Sequence, residues 1–215
     1  MPKTPKTTAA FALSPSLLAL SSRGETRHYR KGTLLIQEGD QGDTLFIILS
    51  GSLRSFSVGP KDREITYGIS GPGEYLGELS LDGGLRTCNV ITLENSTCAV
   101  ITRRTLEAYV AERPEFAFEL LSKVIRRARA ATLSVRQMAL NDAYGRLKLL
   151  LDGLATTLPD GSRWVRERLT HQEMANRLGC SREMVSRLLK ELKNGGYLLM
   201  QEGRWSILRP LPTGW

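Results

Sequence analysis

The stretch THQEMANRLGCSREMVSR, which runs from Thr170 to Arg187, decides the fold of the C-terminal part of the chain. It opens with a capping box, because the side chains of Thr170 and Glu173 can each satisfy a free backbone N–H of the other residue and so start a helix. Gly179 permits a sharp turn, and Ser181 can cap a second helix. The stretch therefore predicts two short helices joined through one glycine, which is a helix-turn-helix pattern.

The second of these helices has an apolar side and a polar side. The apolar set is Met184, Val185, Leu188 and Leu189. The set turned toward solvent or a DNA groove is Arg182, Glu183, Ser186, Arg187 and Lys190. An arginine can donate twice to guanine, a glutamate can accept from cytosine, and a serine at a helix N-terminus can hold a phosphate. The alternative is a charged helix face with an i,i+4 pair between Glu183 and Arg187.

The residues after the second helix predict a β-hairpin. Gly195 and Gly196 end the helix, and two short apolar runs, Leu198–Met200 and Trp205–Leu208, flank a polar turn. Such a hairpin is the wing of a winged helix-turn-helix. Upstream, a helix over Ala143–Ala155, a loop over 158–161 and a strand over Arg163–Arg168 complete this part of the chain.

Between Thr26 and Thr102, short apolar stretches alternate with glycine-containing turns, which is the pattern of strands. The stretches are Thr33–Ile36, Leu45–Leu49, Ile65–Tyr67, Val90–Thr92 and Cys98–Ile101. An antiparallel roll or barrel is the expected architecture. Ahead of it, Ser14 and Pro15 predict the cap and first residue of a short helix, Pro15–Ser21, rather than part of a secretory signal.

After Arg113 the period changes to that of a long helix. A heptad seam runs along it, with alternating spacings of three and four: Leu121, Val124, Ala128, Ala131, Val135 and Met138. A second apolar set, on a different side, is Leu120, Ile125 and Leu133. We expect the second set to cover the roll and the seam to pair with the same helix of a second subunit. The alternative is that both sides pack within one chain.

The net charge of +8 lies mostly in the C-terminal half. Residues 1–110 carry 12 Lys and Arg against 11 Asp and Glu, a net +1, whereas residues 111–215 carry 18 against 11, a net +7. A basic half favours a polyanionic partner, since cations that neutralise phosphates release counterions; a merely solvated basic surface is the alternative. Cys88, Cys98 and Cys180 are scattered, which disfavours a disulfide framework or metal centre and favours a reducing compartment.

The chain resembles the Crp/Fnr family of bacterial transcription regulators over nearly all of residues 20–210. The segment Thr170–Glu173, followed by Gly179–Glu183, Val185 and Arg187, is very similar to the operator-binding segment of cyclic-AMP receptors. The resemblance implies that the residues contacting bases are Arg182, Glu183 and Arg187. It implies that the residues contacting DNA phosphates are Thr170, His171, Gln172, Ser181 and Lys190. Met184 departs from the hydroxyl residue of those receptors.

The same resemblance implies partners. They are double-stranded DNA, a second copy of the chain and RNA polymerase, with a TGTGA-like half-site repeated in inverted order and half-site centres about one helical turn, ~34 Å, apart. We expect the protein to act in the cytoplasm without a membrane, because no apolar run approaches spanning length. We expect no catalysis, since no nucleophile–base pair, metal cluster or phosphate loop is found.

A second motif lies in the predicted roll, and its residues are Gly77, Glu78, Leu79, Arg86 and Thr87. A cyclic nucleotide offers an anionic phosphodiester, a ribose hydroxyl and a flat base. Glu78 can accept from the hydroxyl, Arg86 can fork onto the phosphate, and backbone N–H groups can complete the anion site. The motif resembles the phosphate-binding cassette of cyclic-nucleotide-binding domains, and the resemblance implies that Thr132 on the long helix touches the base.

Cyclic AMP is the expected effector, as an allosteric ligand and not a cofactor. Two features depart from the family: the interval from Glu78 to Arg86 is short, and Ala131 beside Thr132 lacks a hydroxyl. Cyclic GMP, a dinucleotide, another effector or none are the alternatives. A remoter one is a cyclic-nucleotide-binding module that regulates a protein partner. The predicted fold class is α+β, with a jelly-roll-like effector domain over 1–113, a dimerisation helix over 114–141 and a winged helix-turn-helix over 142–215.

Overall fold

The computed structural model describes residues 13–159 and 162–214. Its helices are α1 (Pro15–Ser21), α2 (Arg103–Glu112), α3 (Glu115–Leu140), α4 (Ala143–Leu154), α5 (His171–Leu178) and α6 (Arg182–Asn194). Its strands are β1 (Glu25–Tyr29), β2 (Leu34–Ile36), β3 (Thr44–Ser50), β4 (Leu53–Gly59), β5 (Arg63–Ser70), β6 (Tyr75–Leu76), β7 (Asn89–Thr92), β8 (Ser96–Thr102), β9 (Ala155–Thr157), β10 (Arg163–Val165), β11 (Leu198–Gln201) and β12 (Arg204–Ile207).

These elements group into two compact units. The first takes in the described residues up to Ser57 together with Tyr67–Lys123. The second takes in Val58–Thr66 together with the chain from Val124 onward. No helix in the described ranges is long and apolar enough to cross a membrane.

The first unit contains most of two sheets, with the strand orders β1-β8-β3-β6 and β2-β7-β4-β5. Residues 58–66, which include the end of β4 and the start of β5, group with the second unit. Strand β3 explains how the sheets make a core. Successive side chains of a strand point to opposite faces, so Leu45 and Ile47 pack with the helices while Phe46 and Ile48 pack among the other strands. All four are buried, which is why this stretch is continuously apolar. The predicted antiparallel roll is confirmed.

Three helices close one side of this roll. Helix α1 begins as predicted, because Ser14 accepts a hydrogen bond from the Leu17 N–H at 3.1 Å. Helix α2, which sequence patterning did not predict, brings Tyr109 edge-on to Phe116 of α3, with ring centroids 5.1 Å apart. Both rings belong to the cluster that contains the buried leucines of α1. The aromatic pair therefore joins α2 and α3 to the roll.

Within the first unit, the first turns of helix α3 pack on the roll. Leu120 is partly buried in the roll's core, and Lys123 is buried with its Nζ 3.9 Å from the Tyr75 ring centroid. The prediction that the second apolar side covers the roll is thus confirmed for Leu120. It is wrong for Ile125 and Leu133, which are 41% and 56% exposed.

The second unit contains the predicted winged helix-turn-helix. Helices α4, α5 and α6 share one core with the sheet β11-β12-β10-β9. Helix α6 supplies Val185, Leu188, Leu189 and Leu192 to it. The predicted wing is confirmed as the hairpin β11–β12. The strand predicted over Arg163–Arg168 ends at Val165, and Ala155 begins β9 rather than ending α4. Part of the predicted loop, residues 160 and 161, lies outside the described residues.

Candidate nucleic-acid interface and anion pocket

Helix α5 starts with both halves of the predicted capping box. The Glu173 N–H donates to Thr170 Oγ1 at 3.1 Å, and the Thr170 N–H donates to Glu173 Oε2 at 2.7 Å. Each bond satisfies a backbone donor that a helix N-terminus otherwise leaves without a partner. The start of α5 is therefore defined by its own side chains.

The turn between α5 and α6 depends on Gly179 and Ser181. Gly179 has φ +63° and ψ +37°, the left-handed conformation that glycine adopts without the steric cost of a Cβ atom. Ser181 is extended and accepts a hydrogen bond from the Met184 N–H at 3.2 Å, so it caps α6. These two residues set the direction of α6, the helix that carries the predicted base contacts.

The polar side of α6 is open as predicted, with one exception. Arg182, Glu183, Arg187 and Lys190 are exposed. Ser186 is half-buried instead, because its hydroxyl is 2.8 Å from His171 Nδ1 on α5. The alternative pair between Glu183 and Arg187 does not form among the described residues; Arg187 Nη2 donates to Met184 Sδ at 3.0 Å.

Glu183 is held in its anionic form. Its own backbone N–H at the helix start is the main cause that lowers the pKa of this carboxyl, and the Ser181 hydroxyl and the Arg182 charge act in the same direction. An ionised carboxylate is a pure acceptor of hydrogen bonds. Glu183 is thus prepared to accept from a donor such as the amino group of cytosine.

Most of the predicted phosphate contacts are accessible. Thr170, Gln172, Ser181 and Lys190 are exposed, whereas His171 is half-buried. The Gln172 amide donates to Asn176 Oδ1 at 2.7 Å, a bond that holds this side chain along α5. The second unit therefore offers a cationic helix beside hydroxyl and amide donors.

Sequence patterning missed two other groups in the second unit. Arg168 and Arg204 are exposed next to the wing, where a Cβ atom on Gly203 would lie 4.0 Å from Arg168 Nε. The only sequence signal for these two arginines was the basic charge of the C-terminal half.

Arg63 and Glu64 form hydrogen bonds with the helix-turn-helix. Arg63 Nη2 donates to the Gly179 carbonyl and Asn176 Nδ2 donates to Glu64 Oε2, each at 2.9 Å.

In the first unit, the predicted effector motif begins at Gly77. This residue has φ +97°, and a Cβ atom on it would lie 2.5 Å from the Thr44 carbonyl oxygen and 2.8 Å from Arg86 Nη1. Only glycine fits there. The 3₁₀ turn Glu78–Ser80 follows, and Glu78 is 8% exposed.

Arg86 packs against this turn, and it is 7% exposed. Nη1 donates to the Gly77 carbonyl at 3.0 Å and to Ser80 Oγ at 2.7 Å. Nη2 donates to the Thr44 carbonyl at 3.0 Å and to Thr44 Oγ1 at 2.9 Å. The short interval between Glu78 and Arg86 thus still brings the guanidinium onto the turn that begins at Glu78.

The charge of Arg86 is close to acidic neighbours. Burial lowers the pKa of its guanidinium, and the nearby Asp43 and Glu78 carboxylates oppose that shift. An arginine remains protonated in proteins even so. The motif therefore contains a desolvated cation whose terminal nitrogens both donate to protein oxygens.

The other predicted effector residues are more exposed than Glu78 and Arg86. Leu79 is 48% exposed and Thr87 is exposed. Thr132 belongs to the second unit, where its hydroxyl donates to the Ala128 carbonyl at 3.0 Å. The described residues contain no cluster of side chains suited to a metal ion.

The predicted dimer seam is open along α3. The exposed fractions of its larger members are 52% for Leu121, 36% for Val124, 67% for Val135 and 43% for Met138. Ala128 and Ala131, the small members, are exposed as well. The helix therefore presents a row of apolar side chains that are partly to largely exposed.

Comparisons with known proteins match both units. A model of the cyclic nucleotide-binding domain matches residues 26–113, and a model of the Crp-like helix-turn-helix domain matches residues 145–210. The chain is 30% identical over 190 residues to the CRP-like cAMP-activated global transcriptional regulator of Mycobacterium tuberculosis, covering 86% of this chain and 85% of that protein. It is 31% identical over 185 residues to the cyclic AMP receptor protein of Thermus thermophilus, covering 83% and 82%.

A solved structure supports the fold independently. The c-di-GMP responsive global regulator CLP of Xanthomonas campestris has a TM-score of 0.77 at 24% identity, covering 89% of this chain and 97% of that one. At that identity the likeness concerns the fold alone. The relatives at 30% and 31% identity, which are aligned over most of both chains, extend it to the family. The chain belongs to the Crp/Fnr family of ligand-responsive transcription regulators.

Proposed function

We propose that the chain is a homodimeric, sequence-specific DNA-binding transcription regulator controlled by cyclic AMP, and not an enzyme. One observation carries the DNA part of the proposal. Helix α6 presents Arg182, Glu183 and Arg187 to solvent while its other side is buried in the core of the winged helix. A helix whose buried side packs in the core and whose exposed side carries hydrogen-bond donors and an acceptor has the properties that major-groove recognition requires.

The roles of individual residues follow from their chemistry. Arg182 and Arg187 donate to guanine, and Glu183 accepts from cytosine. The phosphate contacts are Thr170, His171, Gln172, Ser181 and Lys190. The operator is a TGTGA-like half-site and its inverted repeat, because a two-fold symmetric dimer binds a palindrome.

Selection of bound duplexes from random DNA, with and without cyclic AMP, tests this proposal. We expect a TGTGA-like inverted repeat, enriched more strongly with the nucleotide. Arg187→Ala should relax the preference at one base pair per half-site, whereas Lys190→Ala should weaken binding to all sequences and reduce the salt dependence. An unrelated or non-palindromic motif would contradict the proposal.

Cyclic AMP is the proposed effector because Arg86 and Glu78 are buried at the same turn. When a phosphodiester binds, Arg86 would donate to its oxygens in place of some of the protein oxygens that it contacts in the free protein. Glu78 would accept a hydrogen bond from the ribose hydroxyl. The relative from Mycobacterium tuberculosis is described as cAMP-activated, which supports this choice.

Calorimetry with cyclic AMP, cyclic GMP and a cyclic dinucleotide distinguishes the effectors. We expect binding heat with cyclic AMP that Glu78→Gln removes or weakens. Leu85→Ala is the matched control, since Leu85 lies in the same loop and is 54% exposed. Heat with another nucleotide alone, or none at high micromolar ligand, would overturn this assignment.

The row of exposed apolar side chains on α3 supports a dimer formed by the seam that runs from Leu121 to Met138. We assign the effector domain to 1–113, the dimerisation helix to 114–141 and the DNA-binding domain to 142–215. Ligand binding shifts the protein toward the state that binds DNA, as linkage requires. Such a regulator acts in the cytoplasm, where DNA and RNA polymerase are its partners.

A further inference from the structure

The ring of His171 lies between two other elements of the second unit. Its Nδ1 is 2.8 Å from the hydroxyl oxygen of Ser186 on α6. Its face stacks on Trp205 of the wing, with ring centroids 6.4 Å apart and planes inclined by 26°. Trp205 is 5% exposed, so it gives the imidazole a fixed surface to pack against. Contacts to α6 and to the wing together define the position of this side chain.

Either atom of the bond between Ser186 and His171 can be the donor, depending on the tautomer of the imidazole. Among the residues that the structure describes, Ser186 Oγ makes no hydrogen bond other than that to His171. Thr132 shows the alternative, because its hydroxyl donates to the backbone carbonyl four residues earlier, at Ala128. Because Ser186 makes no such bond, its hydroxyl hydrogen is available to donate to His171 Nδ1.

This bond selects one form of the imidazole. A neutral histidine carries its proton on one ring nitrogen, and the hydrogen bond at the other nitrogen decides which. If Nδ1 accepts from Ser186, the proton of His171 is on Nε2. Within the described part of the chain Nε2 makes no hydrogen bond, so this donor is available at the first residue of α5.

We infer that Ser186 is a positioning residue, which sets the tautomer of His171 so that its Nε2–H donates to a DNA phosphate. The backbone N–H groups in the first turn of α5 that the capping box leaves without a partner also favour a nearby anion. The phosphate as acceptor rests on the proposed function, whereas the tautomer is a property of the protein without DNA. Ser186 thereby acts through His171 and not on a base.

Nitrogen-15 NMR of the full chain tests the tautomer directly. The chain has two histidines, and the second, His28, provides an internal control because its Nδ1 is 3.0 Å from Thr97 Oγ1. At a pH where both rings are neutral, we expect His171 to be protonated at Nε2 in the wild type. Ser186→Ala should mix the two tautomers of His171, Ser186→Thr should restore the Nε2–H form, and Thr97→Val should change His28 alone.

Two NMR results would overturn the inference. One is a wild-type His171 protonated at Nδ1. The other is a His171 spectrum that Ser186→Ala leaves unchanged. Neither NMR result depends on DNA. A protein that bound no duplex would contradict the proposed function, but the NMR spectra would still determine the tautomer of His171.

A double-mutant cycle tests the link to phosphate, with a duplex that carries the TGTGA inverted repeat. Ser186→Ala should weaken binding by about threefold to tenfold, the range for one hydrogen bond. On a His171→Ala background it should cause no further loss, because the two residues act as one unit. An equal loss on both backgrounds would mean that Ser186 contacts DNA itself, and the positioning role would be wrong.

Discussion

At the scale of single residues, Arg86 contributes to the roll as well as to the proposed pocket. Its two terminal nitrogens donate to four oxygens of Gly77, Ser80 and Thr44. Arg86→Ala leaves those oxygens without their donor in a buried site, so we expect it to lower the free energy of unfolding by about 2–4 kcal/mol. Urea unfolding of the full chain measures this loss.

Arg104→Ala is the control for that measurement, because Arg104 is an exposed arginine on α2 and should change stability by less than about 0.5 kcal/mol. Equal midpoints for the two variants would contradict the structural role of Arg86. If the role is confirmed, loss of nucleotide binding in Arg86→Ala is not by itself proof of a phosphate contact. Glu78→Gln is then the better test of the pocket.

The sequence predicted which residues belong to the effector motif, but it did not predict which other residues they contact. Glu78 and Arg86 were chosen from local motif chemistry, and both are buried at one turn. Thr44, which holds Arg86, is 42 residues away in sequence, and no local pattern links the two. Ser186 is a second example: helical spacing predicts that it faces the groove. The spacing does not show that His171, on a different helix, reaches the Ser186 hydroxyl.

At the scale of elements, the start of α6 combines a structural and a binding role at Ser181. Ser181→Asp keeps the cap, because aspartate caps helices as well as serine does, but it adds a negative charge where the proposed phosphate lies. We expect an unchanged melting temperature and an operator affinity at least about tenfold weaker. Thermal unfolding and anisotropy titration give the two values.

Ser181→Asn is the neutral match, and it should retain both the cap and the affinity. Ser181→Ala should instead lose about 1 kcal/mol of stability with the cap. If Ser181→Asp and Ser181→Asn bound the operator equally well, no phosphate would lie beside Ser181.

The elements that carry their own start and stop signals were predicted well. Helices α5 and α6 and the wing follow from a capping box, a left-handed glycine and a two-residue turn, all of which are local. Helix α2 was missed because its buried residues, Leu106 and Tyr109, span too short a run to define a period. The strands β6 and β9 have two and three residues, and they exist only because a neighbouring strand pairs with them.

At the scale of the whole molecule, the row of exposed apolar side chains on α3 predicts a dimer. Val135 is 67% exposed, so Val135→Glu should not disturb the folded single chain but should place two carboxylates in the seam. We expect sedimentation equilibrium to show a dimer for the wild type and a monomer for Val135→Glu. Leu18→Glu is the control, since Leu18 is a leucine on α1 that is 58% exposed outside the seam, and it should remain dimeric. A wild-type monomer at micromolar concentration would contradict the seam.

The central claim is that α6 recognises a specific DNA sequence. The most direct test is the affinity of the full chain, with saturating cyclic AMP and at one salt concentration, for two duplexes of equal composition. One carries the TGTGA inverted repeat and the other has both half-sites scrambled. We predict that the repeat binds at least about 1,000-fold more tightly, as specific sites do. Equal affinity for the two duplexes would contradict the claim.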